Sequence, residues 1–362
     1  MALTGGVVRR LFHGAVDSLL ESSYVRRRLW RAWGPIVASR DPAFRADVGL
    51  LSVPERYRNA LGGCGRRCQT TGPAPIFVTA RFRSGSTFLW QIFRNIPQCT
   101  AYYEPLNERR WFLQRAGDQG IDPTHVGVDD YAKEYAGLSG LDGIFSKDWA
   151  FDALYMDTWN ADSRLFSYIR TLIDNAQGRA VLQFNRIDFR LPWLRAQFPQ
   201  AKILHLYRDP REQWMSVQSR TAPVPLDYQC TEGSDLNLFY TLEWARDLRT
   251  VFPFLDPVDA GHPYAVHYML WRLSYSFGAC FGDISVAYED LCTRFFDTMS
   301  EIGNNLEIEM PDLQTLSTLN HGTITERWRG YAPIEWYREI ERECDRKMAA
   351  FFDHTGTREA RA

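Results

Sequence analysis

The segment RFRSGST carries the densest polar chemistry of the chain, and it lies between the apolar stretch PIFVTA and a helix-forming stretch. Ser84, Gly85, Ser86 and Thr87 predict a tight turn before the helix. Backbone N–H groups at a helix start have no partner within the helix, and the helix dipole adds partial positive charge there. The junction therefore predicts an anion site, with the guanidinium of Arg83 as its cation.

The same segment can be compared with a Walker A loop, G-x-x-x-x-G-K-[ST]. Ala80 stands at the position of the first glycine, and the lysine is missing, so Arg83 is the replacement charge. Phe88 opens the apolar face of the following helix. A simpler interpretation also stands, in which the serines and threonine only cap that helix.

A second group of polar residues lies in KILHLYRDPREQWMSVQSR. Arg208 follows an apolar strand, and Asp209 and Glu212 predict a capping box that starts a helix. Ser216 and Arg220 are one helical turn apart and share a face. The pattern predicts another anion site at a strand end, unless Arg208 simply pairs with a carboxylate.

Several short apolar segments must position these groups. PIFVTA, AVLQF, KILHLY and DISVAY alternate with longer helical stretches, which predicts an α/β fold with a parallel sheet covered on both faces. The short connection between the second and third segments predicts that these strands are neighbours. Long irregular stretches at about 106–164 and 221–235, the latter opening an insertion to about 265, are expected over the carboxyl ends of the strands.

Composition excludes some classes of function. The 362 residues carry a net charge of −2, with a pI near 6.4, so nucleic acid is not an expected partner. Seven cysteines form no paired framework, and Cys64 and Cys68 lack a second pair at metal-ligand spacing. We expect free thiols, a cytoplasmic location and no metal ion.

The N-terminal residues 1–71 predict a helical extension. Apolar residues from Val7 to Leu20 repeat at helical spacing beside Arg9 and Arg10. Such a helix either packs against its own domain, which we favour, or lies on a membrane surface. No apolar run is long enough to cross a bilayer.

Four motifs in order resemble the sulfotransferases that use 3′-phosphoadenosine 5′-phosphosulfate (PAPS). RSGSTFL is similar to their 5′-phosphosulfate loop, and LYRDPREQWMS to their 3′-phosphate motif. AYEDL and ITERWRGYAP resemble two later nucleotide-contacting segments. The resemblance implies that the nucleotide-binding residues are Arg83, Ser84, Gly85, Ser86, Thr87, Phe88, Arg208, Ser216, Arg220, Tyr288, Arg327 and Trp328.

The resemblance also implies a fold and a reaction. The fold is a P-loop-type three-layer α/β domain, here residues 72–362. The insertions at about 106–164 and 221–265 lie outside the resemblance, and we expect them to form a cap on the acceptor side. The reaction moves a sulfuryl group from PAPS to a hydroxyl or amine, with Arg83 assisting the transfer and no metal ion.

A general base is needed for an attacking hydroxyl. Glu104 stands 21 residues after Arg83, a spacing that looks like the tyrosylprotein branch of the family, and is predicted to be this base. Alternatively, Glu104 only pairs with Arg109 or Arg110 at the surface. Glu108 is the rival base.

One departure from the family concerns its lysine near the end of the strand AVLQF. Here Gln183, Asn185 and Arg186 occupy this region, and Arg186 is the candidate substitute. His205, in an apolar strand, and His125, in a loop, are expected to be structural.

The acceptor stays open. Aromatic residues of the first insertion can supply local core or a cavity for a carbohydrate, a glycolipid or another small molecule. Two other functions remain as alternatives: a P-loop small-molecule kinase, and a non-catalytic module that binds adenosine bisphosphate. The sequence does not predict an oligomeric state.

Overall fold

A computed structural model describes residues 72–114, 120–158, 160–218, 222–322 and 324–359. The predicted N-terminal helix, Cys64, Cys68 and Arg220 lie outside these ranges. Within them, no helix combines the length and apolar character needed to cross a membrane.

A five-stranded parallel sheet in the order β2-β3-β1-β4-β5 forms the centre of the fold. Its strands are almost entirely buried, as the near-continuous apolar segments predict. The predicted α/β fold is confirmed. The strands are β1 (Ile76–Ala80), β2 (Cys99–Tyr103), β3 (Arg179–Phe184), β4 (Lys202–Tyr207) and β5 (Ile284–Ala287).

The predicted pairing of β3 with β4 is wrong. Ile76 of β1 is in register with Val181 on one side and with Lys202 on the other, so β1 separates them. The connection between β3 and β4 passes over β1, and this leaves β1 paired along both edges. Strand β2 was not predicted, and it pairs with β3 at the edge of the sheet.

Helices cover both faces of the sheet. The loop of residues 81–85 joins β1 to α1, and we call it the phosphate loop after its predicted role. Trp90 on α1 donates its indole N–H to Ala101 O of β2 at 2.7 Å. The α-helices are α1 (Ser86–Arg94), α2 (Leu141–Ile144), α3 (Ser163–Asp174), α4 (Leu191–Gln197), α5 (Pro210–Val217), α6 (Thr241–Leu248), α7 (Pro257–Ala260), α8 (Pro263–Phe281), α9 (Tyr288–Thr293), α10 (Phe295–Leu306), α11 (Leu313–Ser317) and α12 (Ile334–Glu359). Short 3₁₀ helices span Trp111–Leu113, Lys133–Tyr135, Lys147–Ala150, Asp188–Arg190, Pro253–Leu255 and Arg327–Gly330.

Helix α8 packs closely on β4. A Cβ added at Gly278 would lie 2.2 Å from the ring of His205, so the strand and helix approach over a glycine. His205 is buried and bonds to Ser285, and burial lowers its pKa to about 3. The expectation that His205 is structural fits this environment.

The first insertion is irregular but firmly attached. Asp247 of α6 accepts hydrogen bonds from the backbone N–H groups of Ala153 and Leu154 at 3.2 and 2.9 Å. Burial raises the pKa of Asp247 to about 6. Arg190 donates to the carbonyl of Trp149 at 2.8 Å. Several aromatic residues of the insertion are buried as local core, including Trp111, Tyr131, Tyr135 and Trp149.

Candidate active site

The phosphate loop turns at Gly85, which has φ 90° and precedes α1. A Cβ there would lie 2.2 Å from the ring of Tyr288, so both the conformation and the close contact require glycine. Ser84 is buried, and its hydroxyl donates to Arg81 O at 2.7 Å. Ser84 therefore holds the turn, whereas Ser86, Thr87 and Phe88 line the cleft above it.

A buried ion pair supports this loop from below. Arg81 Nη1 lies 4.0 Å from Asp188 Oδ2, and Asp188 also accepts hydrogen bonds from Thr79 and Ser274, both at 2.8 Å. Burial lowers the pKa of Arg81 to about 10, and Asp188 opposes that shift. Burial likewise raises the pKa of Asp188, against the opposing charge of Arg81. Charged groups this deep need their partners.

Arg83 joins the two predicted anion sites. Its Nε donates to Ser216 Oγ at 2.9 Å, across from the loop to helix α5. Its Nη1 donates to Thr124 at 3.2 Å and lies 3.6 Å from Asp122 of the first insertion. Arg83 and Ser216 both line the same cleft. The 5′ and 3′ motifs thus form one continuous surface.

Arg208 lies next to this surface, at the end of β4. Its guanidinium is 4.7 Å from the ring centre of Tyr288, and its Nη1 donates to Arg83 O at 3.4 Å. Glu212 lies 3.5 Å away, which is the carboxylate pairing that the alternative interpretation expects. Nevertheless Arg208 Nε is buried and has no hydrogen-bond partner among the residues that the structure describes, and Arg208 lines the cleft.

The capping box at α5 is half formed. Asp209 accepts from the N–H groups of Arg211 and Glu212, as predicted. The reciprocal bond from Glu212 is absent, because Glu289 accepts the Asp209 N–H at 3.1 Å. Glu212 is instead drawn toward cations, 3.5 Å from Arg208 and 3.9 Å from Arg327.

The motif ITERWRGYAP contributes one residue to the cleft and another to a second hydrophobic core. This second core consists of Trp214, Val217, Val224, Leu238, Tyr264, Trp328, Ala332 and Tyr337. Arg327 lines the cleft and is 47% exposed. Trp328 is buried between the guanidinium groups of Arg211 and Arg329, whose carbons lie 5.2 and 4.4 Å from its ring, and packs on Tyr337. Trp328 does not line the cleft, so the structure places it outside the nucleotide surface that was predicted for it.

Glu104 lies one residue beyond β2 and faces the cleft. It is 8% exposed, with φ 38°. Its carboxylate accepts from Asn107 and Asn185, both at 2.5 Å, and from Arg186 at 3.2 Å. The surface pairing with Arg109 or Arg110 is not what the structure shows. Three donors instead fix the carboxylate in place.

Arg186 connects the two candidate carboxylates. Its Nη2 donates to Glu108 at 2.8 Å, while Nη1 reaches Glu104. Tyr240 also donates to Glu108 at 2.5 Å. Burial by itself raises the pKa of Glu108, but the Arg186 charge and the Tyr240 hydrogen bond bring that pKa below its usual value. Arg186 thus stands where a cation can serve either carboxylate.

His125 also contributes to the cleft. Its Nε2 lies 3.2 Å from Thr87 Oγ1, and its Nδ1 lies 2.5 Å from the hydroxyl of Tyr131. The ring is therefore satisfied, as expected of a structural histidine, but it lies beside the phosphate loop. Sequence reasoning could not place it there, because the loop around it has no periodic pattern.

These groups surround one cleft of about 1230 Å³. Phe239, Tyr240 and Glu243 line it and were not predicted from the sequence. Their segment, FYTLEW, gives only the signal of paired aromatic residues before a helix, although Phe239 and Tyr240 have φ 49° and 62°. Among the described residues, no group of His, Cys, Asp or Glu side chains is arranged to hold a metal ion.

One comparison with known proteins assigns the chain to a family. A model described as "Sulfotransferase family" matches residues 75–270, more than half of the chain. No curated protein matches significantly.

Among solved structures, similar chains include a sulfotransferase from Alicyclobacillus acidocaldarius, with 13% identity, 78% of this chain and 97% of that chain covered, and TM-score 0.38. The sulfotransferase STF9 from Mycobacterium avium has 16% identity, with 76% of this chain and 76% of that chain covered, and TM-score 0.41. Mouse sulfotransferase SULT7A1 complexed with PAP has 14% identity, with 80% of this chain and 89% of that chain covered, and TM-score 0.37.

Proposed function

Because the chain belongs to the sulfotransferase family, we propose that it transfers the sulfuryl group of PAPS to a hydroxyl or amine of a carbohydrate, glycolipid or other small-molecule acceptor. The observation that carries this proposal is the hydrogen bond from Arg83 to Ser216, which unites two anion-binding motifs in one cleft. A donor with phosphate groups at both ends of its ribose fits such a surface.

The residues present suit this donor. Arg208 Nε is buried and lacks a partner in the described part of the chain, so a 3′-phosphate oxygen can accept from it. Gly85 turns the loop sharply before α1, and the backbone N–H groups at that helix start, beside the cleft, can receive a 5′-phosphosulfate. Arg83 lies between the two positions and can serve both groups.

The reaction itself follows from these positions. A bond forms between the acceptor oxygen and sulfur while the bond from sulfur to the 5′-phosphate oxygen breaks, and that oxygen keeps the electron pair. By analogy with phosphoryl transfer, negative charge in the transition state spreads over the equatorial oxygens of the sulfuryl group. Arg83 and the loop N–H groups stabilise that charge.

Glu104 receives the proton of the acceptor hydroxyl in this scheme. Hydrogen bonds from Asn107, Asn185 and Arg186 fix the orientation of its carboxylate. The carboxylate is therefore already positioned to accept the proton when the hydroxyl attacks. We also assign the place of the family's lysine to Arg186, because its guanidinium lines the cleft beside Glu104.

Donor binding and transfer test the proposal together. Adenosine 3′,5′-bisphosphate should raise the melting temperature much more than ATP with Mg²⁺, and labelled PAPS should label an acceptor from a panel of sugars and phenols. Stabilisation by ATP alone would favour a kinase. Binding of the bisphosphate without transfer to any panel member would favour a non-catalytic module.

The metal dependence is a separate measurement. Arginines supply the countercharge in this scheme, so turnover should survive EDTA. Activity lost in EDTA and restored by Mg²⁺ would contradict it.

A further inference from the structure

The charge of the cleft differs between its two sides. We define the acceptor half as the cleft-lining residues within 104–111 and 235–243, together with Arg186. Its carboxylates are Glu104, Glu108, Asp235 and Glu243, and its cations are Arg109 and Arg186.

The cations do not reach all of these carboxylates. Arg186 binds Glu104 and Glu108, and Arg109 lies 5.9 Å from the ring centre of Trp111. Within the described part of the chain, Glu243 forms no ion pair. The acceptor half therefore has an excess of negative charge.

Glu243 is the most informative of these groups. Its Oε2 is buried and has no hydrogen-bond partner among the described residues. The residue lies in the first turn of α6, where the helix dipole favours a carboxylate, but no side chain caps this helix end. A buried carboxylate oxygen without a donor is costly. A cation from a ligand would provide the missing partner.

Aromatic surfaces lie beside this carboxylate. Tyr240 and Phe239 immediately precede α6 and line the cleft, and Tyr240 is three residues before Glu243, on the same side of the turn. Aromatic faces attract cations, especially organic ammonium groups. The protein itself places cations against both rings, because Arg186 lies 5.7 Å from the ring centre of Tyr240 and Arg83 lies 5.5 Å from that of Phe239. The preference for an ammonium group over an uncharged one therefore rests on the Glu243 carboxylate.

A second unpaired group points to an oxygen on the same ligand. Trp111 lines the acceptor half and is only 3% exposed, yet its indole N–H has no partner within the described residues. An indole N–H is only a donor. A hydroxyl or ether oxygen of a bound molecule can accept from it.

We propose that the acceptor carries a protonated amine, which binds to Glu243, and a hydroxyl, which is presented to Glu104. This inference rests on the proposed function and adds the charge class of the acceptor to it. The amine keeps its proton and does not react. The hydroxyl proton passes to Glu104, as in the transfer described above.

Two matched sets of ligands test this charge class by calorimetry in the presence of adenosine 3′,5′-bisphosphate. One set is glucosamine, glucose and glucuronate, and the other is tyramine, tyrosol and 4-hydroxyphenylacetate. In at least one set the amine should bind about 10- to 100-fold more tightly than the neutral member, with the carboxylate weakest. Glu243→Gln should remove this preference and leave the neutral member unchanged.

Two further variants complete the experiment. Glu335→Gln is the matched control, because Glu335 is also in the first turn of a helix but is exposed, and it should change nothing. Glu243→Lys should shift the preference toward the carboxylate member. Absence of an amine preference in both sets, or a preference that survives in Glu243→Gln, would overturn the inference. Transfer from labelled PAPS is measured in parallel, so a failure of the proposed function would be seen separately.

Discussion

The two halves of the cleft are built in different ways. The donor half, formed by the phosphate loop, Arg208, Ser216, Tyr288 and Arg327, comes mainly from strand ends and the helix starts that follow them. The acceptor half takes Glu104 and Arg186 from just beyond strand ends and Glu243 from the start of α6, but most of its other residues come from irregular parts of the two insertions. Parallel strands bring their carboxyl ends to one edge, so the donor half follows from the sheet itself. The acceptor half depends on contacts between insertions.

The supports of the two halves differ as well. Below the donor half lies the buried pair of Arg81 and Asp188, fixed by Thr79 and Ser274. The acceptor half is held from outside the sheet, where Asp247 binds the backbone of the first insertion. The donor half is therefore expected to be the more rigid of the two, and the following variants test each side.

The largest effect is expected from Glu104→Gln. The amide keeps the shape but loses basicity, and its NH₂ group cannot accept from the donors that face one of the two oxygens, so kcat should fall about 10²- to 10⁴-fold. Affinity for adenosine 3′,5′-bisphosphate should barely change, because the donor half is intact. Steady-state kinetics with PAPS and calorimetry measure the two quantities. Glu108→Gln is the control, and an equal or larger loss in that variant would transfer the role of base to Glu108.

Removal of the support below the donor half should have the next largest effect. Asp188→Ala leaves the Arg81 guanidinium buried without its partner, which should lower the free energy of unfolding by about 3–5 kcal/mol. Thr79→Val removes a single hydrogen bond to Asp188 and should lower it by about 1 kcal/mol. Urea unfolding compares the variants. Equal small losses would show that this pair does not support the loop.

Arg208→Ala tests the donor half directly. Affinity for adenosine 3′,5′-bisphosphate should fall about 10- to 100-fold, because a charge-assisted hydrogen bond is lost. Affinity for adenosine 5′-phosphate, which has no 3′-phosphate, should fall much less. Arg211→Ala is the matched control, since Arg211 pairs with Glu341 away from the cleft. An equal loss for both nucleotides would assign Arg208 a structural role.

The smallest effect concerns the attachment of the acceptor half. Folding raises the pKa of Asp247 to about 6 through burial, from an ordinary value of 3.8. Its stabilising contribution is therefore complete below about pH 4 and is lost as the pH rises through about 6, at no more than about 1.4 kcal/mol per pH unit. Asp247→Asn should flatten this slope in urea unfolding between pH 4 and 6, whereas exposed Asp297→Asn should not. An unchanged slope would contradict the assignment.

The donor half was largely predictable because its signals are local. The strand, turn and helix around Gly85 can be read from adjacent residues, and so can the helix that begins after Asp209. The pairing of Glu212 could not be predicted. Its side chain lies near Arg208 and Arg327, which belong to other elements, instead of completing the capping box.

Other parts depend on contacts that the sequence pattern does not contain. Strand β2, CTAYY, contains few of the branched apolar residues that mark a strand, yet it forms against β3. The order of β3 and β4 depends on which strand occupies the centre of the sheet. Trp328 follows a cleft residue but turns into the second core. Glu243 belongs to no sequence motif. It attracts attention only because its Oε2 has no hydrogen-bond partner among the described residues, which a sequence cannot show.

The central position of β1 also constrains how the chain is made. Ile76 pairs with Val181 and Lys202, more than 100 residues later. One edge of β1 therefore stays uncovered until the chain through about Phe184 has left the ribosome, and the other until the chain through about Tyr207 has done so. The entropy of closing such loops grows only slowly with length, so the first insertion adds little to it. During synthesis, however, the apolar strand β1 is exposed with unpaired edges, and chains in such a state aggregate readily and are bound by chaperones. The phosphate loop, although it is the easiest part to recognise in the sequence, can take its final shape only after more than half of the chain has been synthesised.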